Sequence, residues 1–116
     1  MSDAVKLAKY YFNLSNQRNL SEIESLLTPS STYSSVNTGV FLGVDQIVEM
    51  QKQFFDSFDT MGWDIQRVEE VRPGVVLFEF TFSGVTHDGE EVHRPGLEYV
   101  IVHNQKIQHV EVRNKP

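Results

Sequence analysis

From Met61 onward the hydrophobic period of this chain falls from about 3.6 residues to 2, a change that no single helix or helical bundle can accommodate. The clearest stretch runs Val76, Phe78, Phe80, Phe82, with Glu79 and Thr81 between them, so one side of a strand is aromatic and the other is mixed. Three turn signals, Pro73-Gly74, Asp88-Gly89 and Asn104-Gln105, cut this half into four antiparallel strands. The first, near Trp63 to Val71, does not phase cleanly and is expected to bulge.

The other half is helical. Ala4 to Asn16 places Ala4, Leu7, Ala8, Tyr11 and Leu14 on one stripe, and the spacing predicts an amphipathic helix. In NLSEIESLLTP, Ser21 and Glu24 have capping-box spacing and Pro29 lies past the end, which predicts a second, short helix. Ser31 to Phe41, broken at Asn37 to Gly39, reads as one or two short strands. From Val44 to Phe58, Ile47, Gln51, Phe54 and Phe58 recur at helical spacing, giving a third helix. Helices followed by an antiparallel meander specify an α+β domain, residues 1–116, in which three N-terminal helices pack on one face of a strongly bent sheet.

Treating Asp88-Gly89 and Asn104-Gln105 as two-residue turns sets the register: Phe80 opposite Leu97, and Leu97 opposite Val112. The helix-facing side then carries Phe78, Phe80, Phe82, His93, Leu97, Tyr99 and Val112. The outer side carries Glu79, Glu98 and Glu111 as a row of carboxylates, with Arg94 and Arg113 nearby.

Charge and composition exclude several functions. Sixteen acidic against ten basic residues give a net charge of −6, the wrong sign for gripping nucleic acid or an anionic membrane. With no cysteine, thiol catalysis and disulfide frameworks are ruled out. The four histidines have no metal-motif spacing, and no phosphate-binding glycine loop occurs. No metal or cofactor is expected, and a cytoplasmic location is.

The order helix, short helix, strand, long helix and meander, with Tyr11-Phe12, NQRNLSEIESLLTPSSTY, Gly43 before the third helix and the closing NQKIQHVEV, resembles the nuclear transport factor 2-like superfamily. That superfamily includes ketosteroid isomerase and the SnoaL-like polyketide cyclases. The resemblance implies a cone with a central cavity and a homodimer formed through the outer sheet face. It implies for isomerase chemistry a tyrosine on the first helix, an aspartate base on the first strand and a carboxylic acid on a central strand. Tyr11 matches the tyrosine. An ungapped match puts Ser35 at the base and Leu97 at the acid, which argues against that chemistry. The Asp-Arg-Asp arrangement of related epoxide hydrolases finds acids only at Asp64 and Glu69, on the unphased strand.

The expected site is a cavity for a small, largely apolar molecule, lined by Tyr33, Ser35, Phe54, Phe78, Phe80, Phe82, Leu97, Tyr99 and Val112. His93, whose ordinary pKa suits proton transfer near neutrality, is the expected acid or base, and Tyr11 the hydrogen-bond donor of a lyase, isomerase or cyclase-like reaction. The contrasting expectation is a non-catalytic dimerisation or interaction module with a filled core, its tyrosines simply satisfied within that core.

Overall fold

The computed structural model describes residues 2–116. The elements are α1 (Asp3–Asn16), α2 (Leu20–Ser25), β1 (Thr32–Ser35), β2 (Gly39–Leu42), α3 (Val44–Asp56), β3 (Phe58–Arg72), β4 (Val75–Thr86), β5 (Glu91–His103) and β6 (Lys106–Asn114). The six strands form one sheet in the order β2-β1-β6-β5-β4-β3. All neighbours are antiparallel except β1 and β6, which run parallel and bring the N-terminal hairpin beside the end of the meander.

Local chemistry explains where the helices begin. Ser2 caps α1 by accepting from the Val5 amide at 3.1 Å. Asn19, rather than the expected Ser21, caps α2, its side chain accepting from the Glu22 amide. The third helix stops at Asp56, so Phe58 opens β3 instead of closing the helix. Buried Ala8, Tyr11, Phe12 and Leu14 of α1 face the sheet, and the Phe12 and Phe78 rings meet with centroids 4.3 Å apart. Phe78 is fully buried at the centre of this core.

The expected bulging of β3 is present, at three places along its pairing with β4. The expected register of β5 is not. The β4–β5 connection is a three-residue loop, His87-Asp88-Gly89: the Gly89 amide donates to the Thr86 carbonyl at 3.0 Å and the Thr86 amide to the Glu90 carbonyl at 2.9 Å. Gly89 holds the positive φ, 89°, that such a loop needs at its last position. One residue more in the loop slips β5 by one, and because side chains alternate, every residue of β5 changes face. Phe80 therefore lies opposite Gly96, and Phe78 opposite Glu98.

Asn104 and Gln105 do form the expected two-residue turn, both with positive φ. A bulge between Ile101 and Val102 then shifts the β5–β6 register, so Glu98 lies opposite Val112 and Leu97 opposite Arg113. The two departures cancel at β6, where Val110 and Val112 do face inward. On β5 they do not cancel: Leu97, Tyr99 and His93 face outward, while Arg94 and Glu98 face inward, and the outer carboxylate row does not exist. Glu79 instead pairs with Lys115 at 2.6 Å and approaches Arg67 at 3.8 Å.

Candidate functional site

A cavity of about 80 Å³ lies between α1, α3 and the concave face of the sheet. Its aromatic wall is built by three elements, α3, β3 and β4. Phe54, on α3, stacks against Phe58, Trp63 and Phe82, with centroid separations of 5.2, 6.0 and 5.2 Å. Phe80 completes the wall, because Gly96 opposite it has no side chain to block the ring. Asn37, Thr38, Arg94 and Asn114 are exposed and border the opening.

The polar groups inside come from four separate elements. Tyr11 comes from α1, Tyr33 from β1, Gln51 from α3 and Glu98 from β5. Gln51 sits in the middle of the buried α3 stripe formed with Ile47 and Phe55, where an apolar residue would ordinarily be found. Its Nε2 donates to the Tyr11 hydroxyl at 2.9 Å, and its Oε1 is buried with no partner among the described residues. Since the Tyr11 oxygen accepts that bond, its own proton remains free to donate.

Glu98 is only 4% exposed, and among the described residues nothing donates a hydrogen bond to its carboxyl. Burial pushes its pKa up to about 8, so the carboxyl is protonated at neutral pH. Tyr11 is held well above the ordinary phenol value, first by burial and then by the neighbouring Glu98 charge. Tyr33 is raised in the same way, by burial and then by Tyr11 and Glu98. The interior is thus a group of neutral O–H donors, and one of them titrates close to physiological pH. Such a group can hold a carbonyl oxygen and stabilise negative charge developing on it. It can also give up and take back a proton.

Of the residues expected from sequence, Tyr11, Tyr33, Ser35, Phe54, Phe80, Phe82 and Val112 do line this cavity. Phe78 lies beneath it in the core. Leu97 and Tyr99 are on the opposite face of the sheet, and so is His93, which is exposed and bonded through Nδ1 to its cross-strand neighbour Ser83 at 3.0 Å. His93 and Tyr11 therefore do not share a site. Asp64 and Glu69 also face outward, opposite Thr81 and Leu77, leaving Glu98 as the one acidic residue among those that line the cavity. Sequence reasoning missed Glu98, Gln51 and Arg94. The signal available for Glu98 and Arg94 was Gly89, which suits the last position of a three-residue loop as well as the second of a two-residue turn. Among the described residues no cluster of three His, Asp or Glu side chains is placed to hold a metal ion, and no helix is long and apolar enough to cross a membrane.

A model of the SnoaL-like domain matches residues 8–110. Among curated proteins none matches the sequence. Among solved structures, a protein described as a SnoaL-like polyketide cyclase from Shewanella putrefaciens superposes with a TM-score of 0.88 at 10% identity, covering 97% of this chain and 90% of that one. An LEH-like epoxide hydrolase of M. tuberculosis gives 0.84 at 13% identity, covering 97% and 83%. TerC, crystallised with polyporic acid, gives 0.84 at 14% identity, covering 98% and 92%. At these identities the likeness is one of fold.

Proposed function

The chain belongs to the SnoaL-like domain family, and from that premise we propose that its cavity binds a small, largely apolar molecule and holds one oxygen of it on the neutral Glu98 carboxyl and the Tyr11 hydroxyl. The observation that carries this reading is the placement of a protonated, otherwise unbonded carboxyl in an aromatic cavity, beside a tyrosine whose proton is free. A buried polar group without a partner is costly, and a ligand oxygen offsets that cost. Two donors on one oxygen favour chemistry in which that oxygen gains charge, as in an isomerase, lyase or cyclase-like step. By the family resemblance Ser35 stands where the isomerases carry their base, and its buried hydroxyl has no useful basicity near neutral pH. Proton transfer is therefore assigned to Glu98, whose pKa of about 8 lets it act first as acid and then as base. His93 has no part in this reading.

Pairing of two chains through the outer sheet face belongs to the same reading. It is supported by Leu77, Leu97, Tyr99 and Ile101, which share that face with charged Glu79, Glu111 and Arg113 around them.

Benzamide, a small ring bearing a neutral carbonyl, tests the cavity. Titrated into isotope-labelled protein, it is expected to move the amide resonances of Gly96, Glu98 and Val112, with binding weakened several-fold in Glu98→Leu. Shifts confined to other surfaces, or no binding, would refute the reading and favour an interaction module.

A further inference from the structure

The charges bordering the cavity are unbalanced. Arg94 lies on β5 directly opposite Phe82, a cavity wall residue, and shares the inward face with Gly96 and Glu98. Its side chain is exposed at the opening, and among the described residues it makes no ion pair. Several other cations of the chain are engaged, and Lys6, Lys9 and Arg72 are not among the residues that line the cavity. Arg67 and Lys115 meet Glu79, Lys52 meets Asp56, and Arg18 donates to the carbonyls of Phe55, Phe58 and Asp59. Arg113 borders the same opening from β6, although its register opposite Leu97 turns it to the outer side, where it faces Glu111.

Glu98, the one acid lining the cavity, is neutral at pH 7, so no negative charge inside offsets the guanidinium at the rim. In a chain of net charge −6, this opening is a local positive spot leading into an aromatic interior. A guanidinium presents a planar fork of donors that matches a carboxylate in geometry as well as charge. Arg94 and Glu98 are four residues apart, about 13 Å along the strand; on the paired strand Phe82 lies opposite Arg94, and Phe80, opposite Gly96, lies midway between the two.

We propose that the natural ligand is an organic anion, a carboxylate on an aromatic or alicyclic body, with its charge on Arg94 at the rim and its ring against Phe80 and Phe82. The proposal rests on the reading of the cavity as a ligand site and adds the ligand's charge and direction of entry. The neutral end points inward to Glu98 and Tyr11, where oxygen is bound by donors, and the anionic end stays near water, where it need not be desolvated completely.

Benzoate and benzamide have almost the same shape and differ in charge, so comparing them isolates the role of Arg94. At pH 6.5 and low salt, benzoate is expected to bind roughly tenfold more tightly than benzamide. Arg94→Gln, at an exposed position, is expected to remove that advantage while leaving benzamide binding within about twofold. Equal affinities in the parent protein, tighter benzamide, or an advantage that survives Arg94→Gln would each overturn the proposal and leave the cavity reading standing. Failure of both probes to bind would overturn the two together.

Discussion

Phe80 and Gly96 face each other across β4 and β5, and the Phe80 ring fills the space where a side chain at position 96 would begin: a Cβ there would meet Cζ of the ring at 2.6 Å and the Arg113 carbonyl oxygen at 3.1 Å. The absence of that one carbon lets the ring lie across β5 and form the cavity wall. Gly96→Ala is therefore expected to destabilise the fold by about 1–3 kcal/mol. It should also drive the ring into the cavity and weaken benzamide binding. Thermal denaturation with a parallel binding titration checks both effects, and an alanine variant matching the parent in each would show that the contact is unimportant.

Glu98 makes stability depend on pH in an unusual direction. From about pH 4.5, where the carboxyl of the unfolded chain ionises, to about pH 8, the folded chain keeps a proton that the unfolded chain has lost. Stability therefore falls as pH rises through this window, by up to about 1.4 kcal/mol per unit, and levels off above it. Tyr11 from α1 and Tyr33 from β1, the titratable groups facing it, stay neutral throughout, because both are held above the ordinary phenol value. Glu98→Gln cannot ionise, and above pH 8 it is expected to exceed the parent by roughly 2–4 kcal/mol. Urea denaturation at several pH values should give a flatter profile for the variant; parallel profiles would mean that Glu98 ionises normally.

His87, in the β4–β5 loop, ties that loop to the end of α3. It bonds to the Asp56 carbonyl through Nε2 and to the Asp59 carboxylate through Nδ1, the latter at 2.5 Å. The Asp56 carbonyl first, and the Asp59 side chain next, hold its pKa above the ordinary 6.5, with Arg18 opposing. A raised histidine contributes its stabilisation below the ordinary pKa and loses it as pH climbs through the raised one. Nuclear magnetic resonance should find an imidazole midpoint above 6.5 that drops in Asp59→Asn. The Glu98→Gln background separates this contribution from that of Glu98. A midpoint at or below the ordinary value would show that the clamp is not formed.

The outer face offers a fourth test. Tyr99 lies opposite Leu77 on one side and Glu111 on the other, near the centre of the apolar patch. If two chains meet there, Tyr99→Arg should shift sedimentation from dimer to monomer without changing benzamide binding, because its side chain does not reach the cavity. A parent protein that sediments as a monomer at all concentrations would remove the dimer from the reading.

The order of elements was legible in the sequence because it depends on local patterns: the period change at Met61, the apolar stripes of α1 and α3, and turn residues at Gly74, Gly89 and Asn104. The inward face of β4 was legible too, since three alternating phenylalanines admit one orientation in water. The inward face of β5 was not. Both of its faces carry apolar residues, Leu97, Tyr99 and Ile101 on one and Val100 and Val102 on the other, so hydrophobicity alone could not choose between them. The choice fell to one extra loop residue before Glu90 and one bulge near Val102, and each of these depends on backbone pairing across strands that sequence periodicity does not report. Tyr11 could be picked out from its helix alone, whereas the Glu98 carboxyl became part of the interior only when the sheet register turned it away from water.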